Sequence, residues 1–149
     1  MPMPAGITLT GVKWIQRTQG SYTADNNNKV GLYSYSGGTL TLVASCADDG
    51  NLWKGASGSV QSKAFSSTYV TLTNTQYFVA FIYNNSAQVT APQISMSTPN
   101  TGSVLTYQLD FTNSAKLVST KTATTDLAAT QAMSGTLANL SAIPMMFLY

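Results

Sequence analysis

Apolar and polar residues alternate along "ITLTGVKWIQR", residues 7–17, with Ile7 and Leu9 on one face and Val12 and Trp14 on the same face after Gly11. That alternation predicts a strand. The phase slips by one at Gly11, which predicts a bulge or bend there. Residues 29–36 and 39–47 repeat the period of two on either side of "SGG", whose glycines accept positive φ, and so predict a hairpin. Val30 and Leu32 face inward on the outgoing arm, with Tyr35 as a further candidate. Leu40, Leu42, Ala44 and Cys46 share a face on the return, and Val43 takes the other. Residues 59–65, "SVQSKAF", give another strand. "TQYFVAFIYN", residues 75–84, is apolar on both faces: Phe78, Ala80 and Ile82 on one, Tyr77, Val79, Phe81 and Tyr83 on the other. It reads as a central strand covered on each side, or as one with a face covered by a partner chain.

Residues 93–97 and 103–111 read as weaker strands, and "AIPMMFLY" as a closing strand in which Pro144 marks a strand start or an edge. "TTDLAATQAM" reads as a helical turn capped by Thr124 or Thr125. Long helices are missing from the pattern and turn signals recur throughout. The expected fold is all-β: a single-domain antiparallel β-sandwich of jelly-roll type over residues 1–149, with Leu32, Leu42, Phe78, Phe81 and Ile82 in its core.

Composition narrows the chemistry. Only 8 % of the 149 residues are charged, against about 25 % in an average soluble domain. Hydroxyls and amides supply the polarity instead. The net charge of +2 is scattered, so no nucleic-acid partner is expected, and no apolar run approaches transmembrane length, so no membrane insertion is expected. The chain contains no His and no Glu, which excludes a Ser-His-Asp or Cys-His nucleophile and a histidine zinc site. No catalytic residue, metal or cofactor is expected. The lone Cys46 cannot close an internal disulfide and reads as a small buried hydrophobe. Such a thiol suits assembly in a reducing cytoplasm, and Met1-Pro2-Met3-Pro4 has no signal-peptide pattern.

Three segments carry a resemblance: "GVKWIQRTQGSYTADNNNKVGLYSYSGGTLTLVASCADDGNLWKG", "TQYFVAFIYN" and "LAATQAMSGTLANLSAIPMMFLY". In this order they resemble the jelly-roll domains of bacteriophage virion proteins, chiefly fibre heads and tail or capsid appendages. The resemblance implies a non-enzymatic virion component assembled in the host cytoplasm. It further implies a homotrimer packed beside other virion proteins.

Host attachment by such a domain would fall to its loops, with a host cell-surface polysaccharide as partner. The candidate ligand-binding residues are Asn26, Asn27, Asn28, Asp49, Asn51, Trp53, Asn84 and Asn85. Amides read hydroxyls, and an exposed indole would cover sugar C–H groups. Trp53 has an alternative, folding inward to cap the sandwich, and Trp14 belongs to the core. Asp48-Asp49-Gly50-Asn51 reads as a turn, since the spacing of a calcium loop is missing. Met145, Met146, Phe147 and Tyr149 are core first and oligomer interface second. The alternative function is a carbohydrate-binding module of a larger secreted enzyme.

Overall fold

The computed structural model describes residues 3–24, 28–84, 86–97, 126–132 and 143–149. Their strands, in chain order, are β1 Thr8–Thr18, β2 Ser21–Thr23, β3 Lys29–Ser36, β4 Thr39–Ser45, β5 Ser59–Val70 and β6 Gln76–Ile82. Then come β7 Ser86–Thr90, β8 Gln93–Ile94, β9 Met96–Ser97, β10 Thr130–Ala132, β11 Ile143–Pro144 and β12 Met146–Leu148. No helix occurs among the described residues, so none there is long and apolar enough to cross a membrane.

Every described pairing is antiparallel. One sheet runs β12-β1-β5, with β8 beside β12 on the same edge of β1. The other runs β10-β4-β3-β6. Two-stranded ribbons join β2 to β7 and β9 to β11. The two main sheets pack as a sandwich around one core. Leu9, Val12 and Trp14 of β1 and Phe65 of β5 meet Val30 and Leu32 of β3, Ala44 of β4 and Tyr77 of β6.

The predicted hairpin is present. Ser36 pairs with Thr39, and Gly37 and Gly38 take φ of 54° and 82°, as a two-residue primed turn requires. The phase slip in β1 is also present: the register with β5 breaks between Leu9 and Gly11, and Leu9, Val12 and Trp14 are all buried. Trp14 is 1 % exposed and belongs to the core as expected.

Several expectations need correction. Of the proposed core residues, Leu32 and Ile82 are buried and Leu42 and Phe78 are half-buried. Phe81 is 42 % exposed because β6 is the last strand of its described sheet, although its ring still meets that of Trp53 at 5.7 Å. Ile7 is 43 % exposed. β6, apolar on both faces, stands last in the described sheet rather than inside it. Leu42 lies on the outer face of its sheet, not the core face. A Cβ on Gly31 would come 2.6 Å from Leu127 Cδ1 and 3.0 Å from Leu42 Cδ1, so both leucines rest on the bare backbone of β3. The expected helical turn does not form among residues 126–132, and its cap candidates Thr124 and Thr125 lie outside the described residues. Leu42 N donates to Ala129 O, Tyr33 Oη donates to Ala128 O, and β10 pairs with β4. Residues 103–111 lie outside the described residues.

Candidate functional site

The segment after β4 builds a surface hollow. Cys46 N donates to Val30 O at 3.0 Å and carries the pairing one residue past the strand. The chain then coils through short-range bonds. Asn51 N donates to Asp49 Oδ1 (2.9 Å), Leu52 N to Asp49 O (3.0 Å) and Lys54 N to Asn51 O (2.9 Å). Asp49 thus nucleates an Asx-type turn, as the run Asp-Asp-Gly-Asn predicts. The coil sends Leu52 and Trp53 inward and leaves Asn51 outside.

Trp53 is 1 % exposed, which removes it as a stacking face for a ligand. Its Nε1 donates to Ile82 O at 3.1 Å, and its backbone N donates to Tyr22 Oη at 3.3 Å. Its carbonyl accepts from Gly20 N and from Gln16 Nε2. Its ring centroid lies 5.1 Å from that of Trp14. Burial of an indole is tolerated when its N–H is satisfied, as here.

Asn28 is likewise interior, with no exposed surface. Its side chain mimics a peptide group: Nδ2 donates to Asn84 O (3.0 Å) while Oδ1 accepts from Asn84 N (2.8 Å). Its carbonyl accepts from Asp49 N. Asn28 therefore ties three loops together and is not on display. Asn84 is half-buried by the same clamp. Asn26, Asn27 and Asn85 lie outside the described residues.

Of the expected site residues, Asp49 and Asn51 come together. With Lys54, Gln61, Ser62 and Lys63 they surround an open hollow of about 350 Å³ backed by Trp14 and Leu52. Gln61, Ser62 and Lys63 come from β5, where the sequence pattern predicts only strand positions. Their one sequence signal is "QSK", three polar residues before Ala64 and Phe65 with no apolar residue among them. A second hollow of about 440 Å³ adjoins through Lys54, whose Nζ stands 4.8 Å above the Tyr22 ring.

The hollow can read hydroxyls. Two amides offer donors and acceptors, two ammonium groups donate, and Asp49 accepts. Lys63 Nζ contacts Asp49 Oδ2 at 2.6 Å. That bond, aided by Asn51 N–H, holds the Asp49 carboxyl below its usual range against the opposing effect of burial. Asp48 and Asp126 both pair with Lys29, at 3.3 Å and 2.9 Å. Asp48 and Asp49 thus turn to different lysines, and among the described residues no three His, Cys, Asp or Glu side chains gather to hold a metal.

The pairing has a pH signature. Asp49 releases its proton more readily folded than unfolded. Its stabilisation is therefore complete above the ordinary carboxyl value of 3.8 and is lost as pH falls through the lower folded value. Asp126 follows the same sign through Lys29. The melting temperature should stay level between about pH 7 and 5 and fall below about pH 4. Lys63→Gln should flatten that fall in thermal circular dichroism. An equally steep acid loss in Lys63→Gln would mean that the pair carries no folding energy.

Compared with protein-family models, with curated proteins and with solved structures, the chain matches none.

Proposed function

We propose that this chain is a non-enzymatic attachment module of a bacteriophage virion. It acts as a fibre or appendage head that holds a host cell-surface glycan in the hollow between residues 47–58 and β5. The observation carrying the glycan reading is the convergence of Asn51, Gln61, Asp49 and Lys54 on one open hollow outside the core. Amide, carboxylate and ammonium groups in close array suit a polyhydroxylated ligand. The virion setting rests on the resemblance of the three quoted segments. A non-enzymatic role is supported by the absence of His and Glu and by the ion pairs that engage Asp48, Asp49 and Asp126 with lysines.

A single neutral hydrogen bond contributes only about 1 kcal/mol, so one domain binds weakly. Display as a homotrimer would raise avidity by about 10² or more where the spacing permits. The test is adsorption of the Asn51→Ala/Gln61→Ala double variant to host cells or to their isolated polysaccharide, at equal folded fraction. A loss of about tenfold or more is expected. Adsorption equal to the parent's would remove the hollow from attachment.

A further inference from the structure

The sheet β12-β1-β5 turns one face to the core and the other to solvent. The core takes Val12, Trp14 and Gln16 of β1, so Lys13, Ile15 and Arg17 stand on the outer face, with Lys13 and Arg17 exposed. The register sets Phe147 on one side of Lys13 and Ser62 on the other. One pleat away, a Cβ on Gly11 would come 2.6 Å from Tyr149 Oη and 2.7 Å from its Cζ. The Tyr149 ring therefore lies across the bare backbone of β1, an aromatic covering a strand glycine. Lys13 Nζ is 4.9 Å from that ring's centroid. Phe147 remains 52 % exposed and Tyr149 38 %.

This face sets the exposed Phe147 ring, with the covered Tyr149 ring beside it, among two cations. Its strands contain no acidic residue. Among the described residues Lys13 and Arg17 enter no ion pair, while Asp48, Asp49 and Asp126 are committed to Lys29 and Lys63. We infer that the outer face of β12-β1-β5 binds an acidic polysaccharide. Sugar C–H faces lie on Phe147, bordered by the Tyr149 hydroxyl edge, and the carboxylates or sulfates meet Lys13 and Arg17. The inference rests on the glycan-attachment reading above and names the ligand class. Charge complementarity decides the occupant. A second copy brings little charge to match Lys13 and Arg17, because its described carboxylates Asp48, Asp49 and Asp126 are already paired with lysines. Two cations are too few for a phosphate track. Strands lie about 4.8 Å apart, so the row Phe147–Lys13–Ser62 spans about 10 Å. Ser62 also borders the hollow, so a bound chain can run from the platform into it.

The test is affinity electrophoresis at low ionic strength in gels containing polygalacturonate, with dextran as the neutral control. Variants with unchanged denaturation midpoints are compared. The parent should be retarded by polygalacturonate. Lys13→Gln/Arg17→Gln and Phe147→Ala should each weaken retardation by about tenfold, with Phe147→Leu replacing Phe147→Ala if the latter fails to fold. The inference is overturned if the parent is not retarded, or if neither platform variant changes the retardation. It is also overturned if only the charge variant does, since diffuse attraction then suffices. A parent that dimerises, with Phe147→Ala restoring the monomer, would assign the face to a second copy and overturn it too. If Asn51→Ala/Gln61→Ala abolishes binding and the platform variants do not, the hollow stands and the platform falls. The reverse pattern supports the platform and moves attachment away from the hollow.

Discussion

Trp53→Ala is expected to destabilise the fold by about 3–5 kcal/mol. Small domains have only about 5–15 kcal/mol in total, so most of the margin would go. The indole fills the space between Trp14 and Phe81, with centroids at 5.1 and 5.7 Å. Its removal leaves a cavity and strands the Ile82 carbonyl that now accepts from Nε1. Partial relief comes with Trp53→Phe, which keeps the ring but not the donor. Urea denaturation followed by tryptophan fluorescence checks this, with Trp14 as the remaining reporter. A loss below about 1 kcal/mol would return Trp53 to the surface and to the ligand.

The second large effect is expected at Asn28. Asn28→Ala leaves Asn84 N–H and C=O without the amide that satisfies both, and it should cost about 2–4 kcal/mol. Asn28→Asp keeps the shape but sets a buried carboxylate against the Asn84 carbonyl. Burial disfavours its charged form, so its folded pKa lies above the unfolded one. That variant should therefore be more stable near pH 4 than near pH 7, the reverse of the parent's trend. Asn51→Ala, at an exposed position, should stay within about 0.5 kcal/mol of the parent. Chemical denaturation at both pH values reads all three. An Asn28→Ala variant as stable as Asn51→Ala would show that the clamp is idle.

The sandwich was legible because its signals are local. Gly37-Gly38 can serve a primed turn whatever surrounds it, and the slip from Leu9 to Val12 exposes the register break by itself. The site was only half legible. Asp49 and Asn51 are turn formers whose neighbours fix them outside. Trp53, among glycines and beside Lys54, has the local look of an exposed residue. The groups that hold it inside, Gln16, Tyr22 and Ile82, are 37, 31 and 29 residues away in the chain. Asn28 belongs to a run of three asparagines in which local sequence offers nothing to distinguish the third. Only the distant Asn84 and Asp49 do so. The β2–β7 ribbon was missed because Tyr22 is its one core side chain. Around Leu127, pairing with β4 overrode a weak helical signal that its threonines already opposed.

Backbone amide chemical shifts followed by NMR during titration with host cell-surface polysaccharide test the central claim most directly. The account predicts saturable shifts at Asn51, Lys54, Gln61 and Ser62, small shifts at Asn28 and Trp53, and a polysaccharide recovered at its original length. Shifts absent from the hollow, or a polysaccharide shortened by the protein, would contradict it.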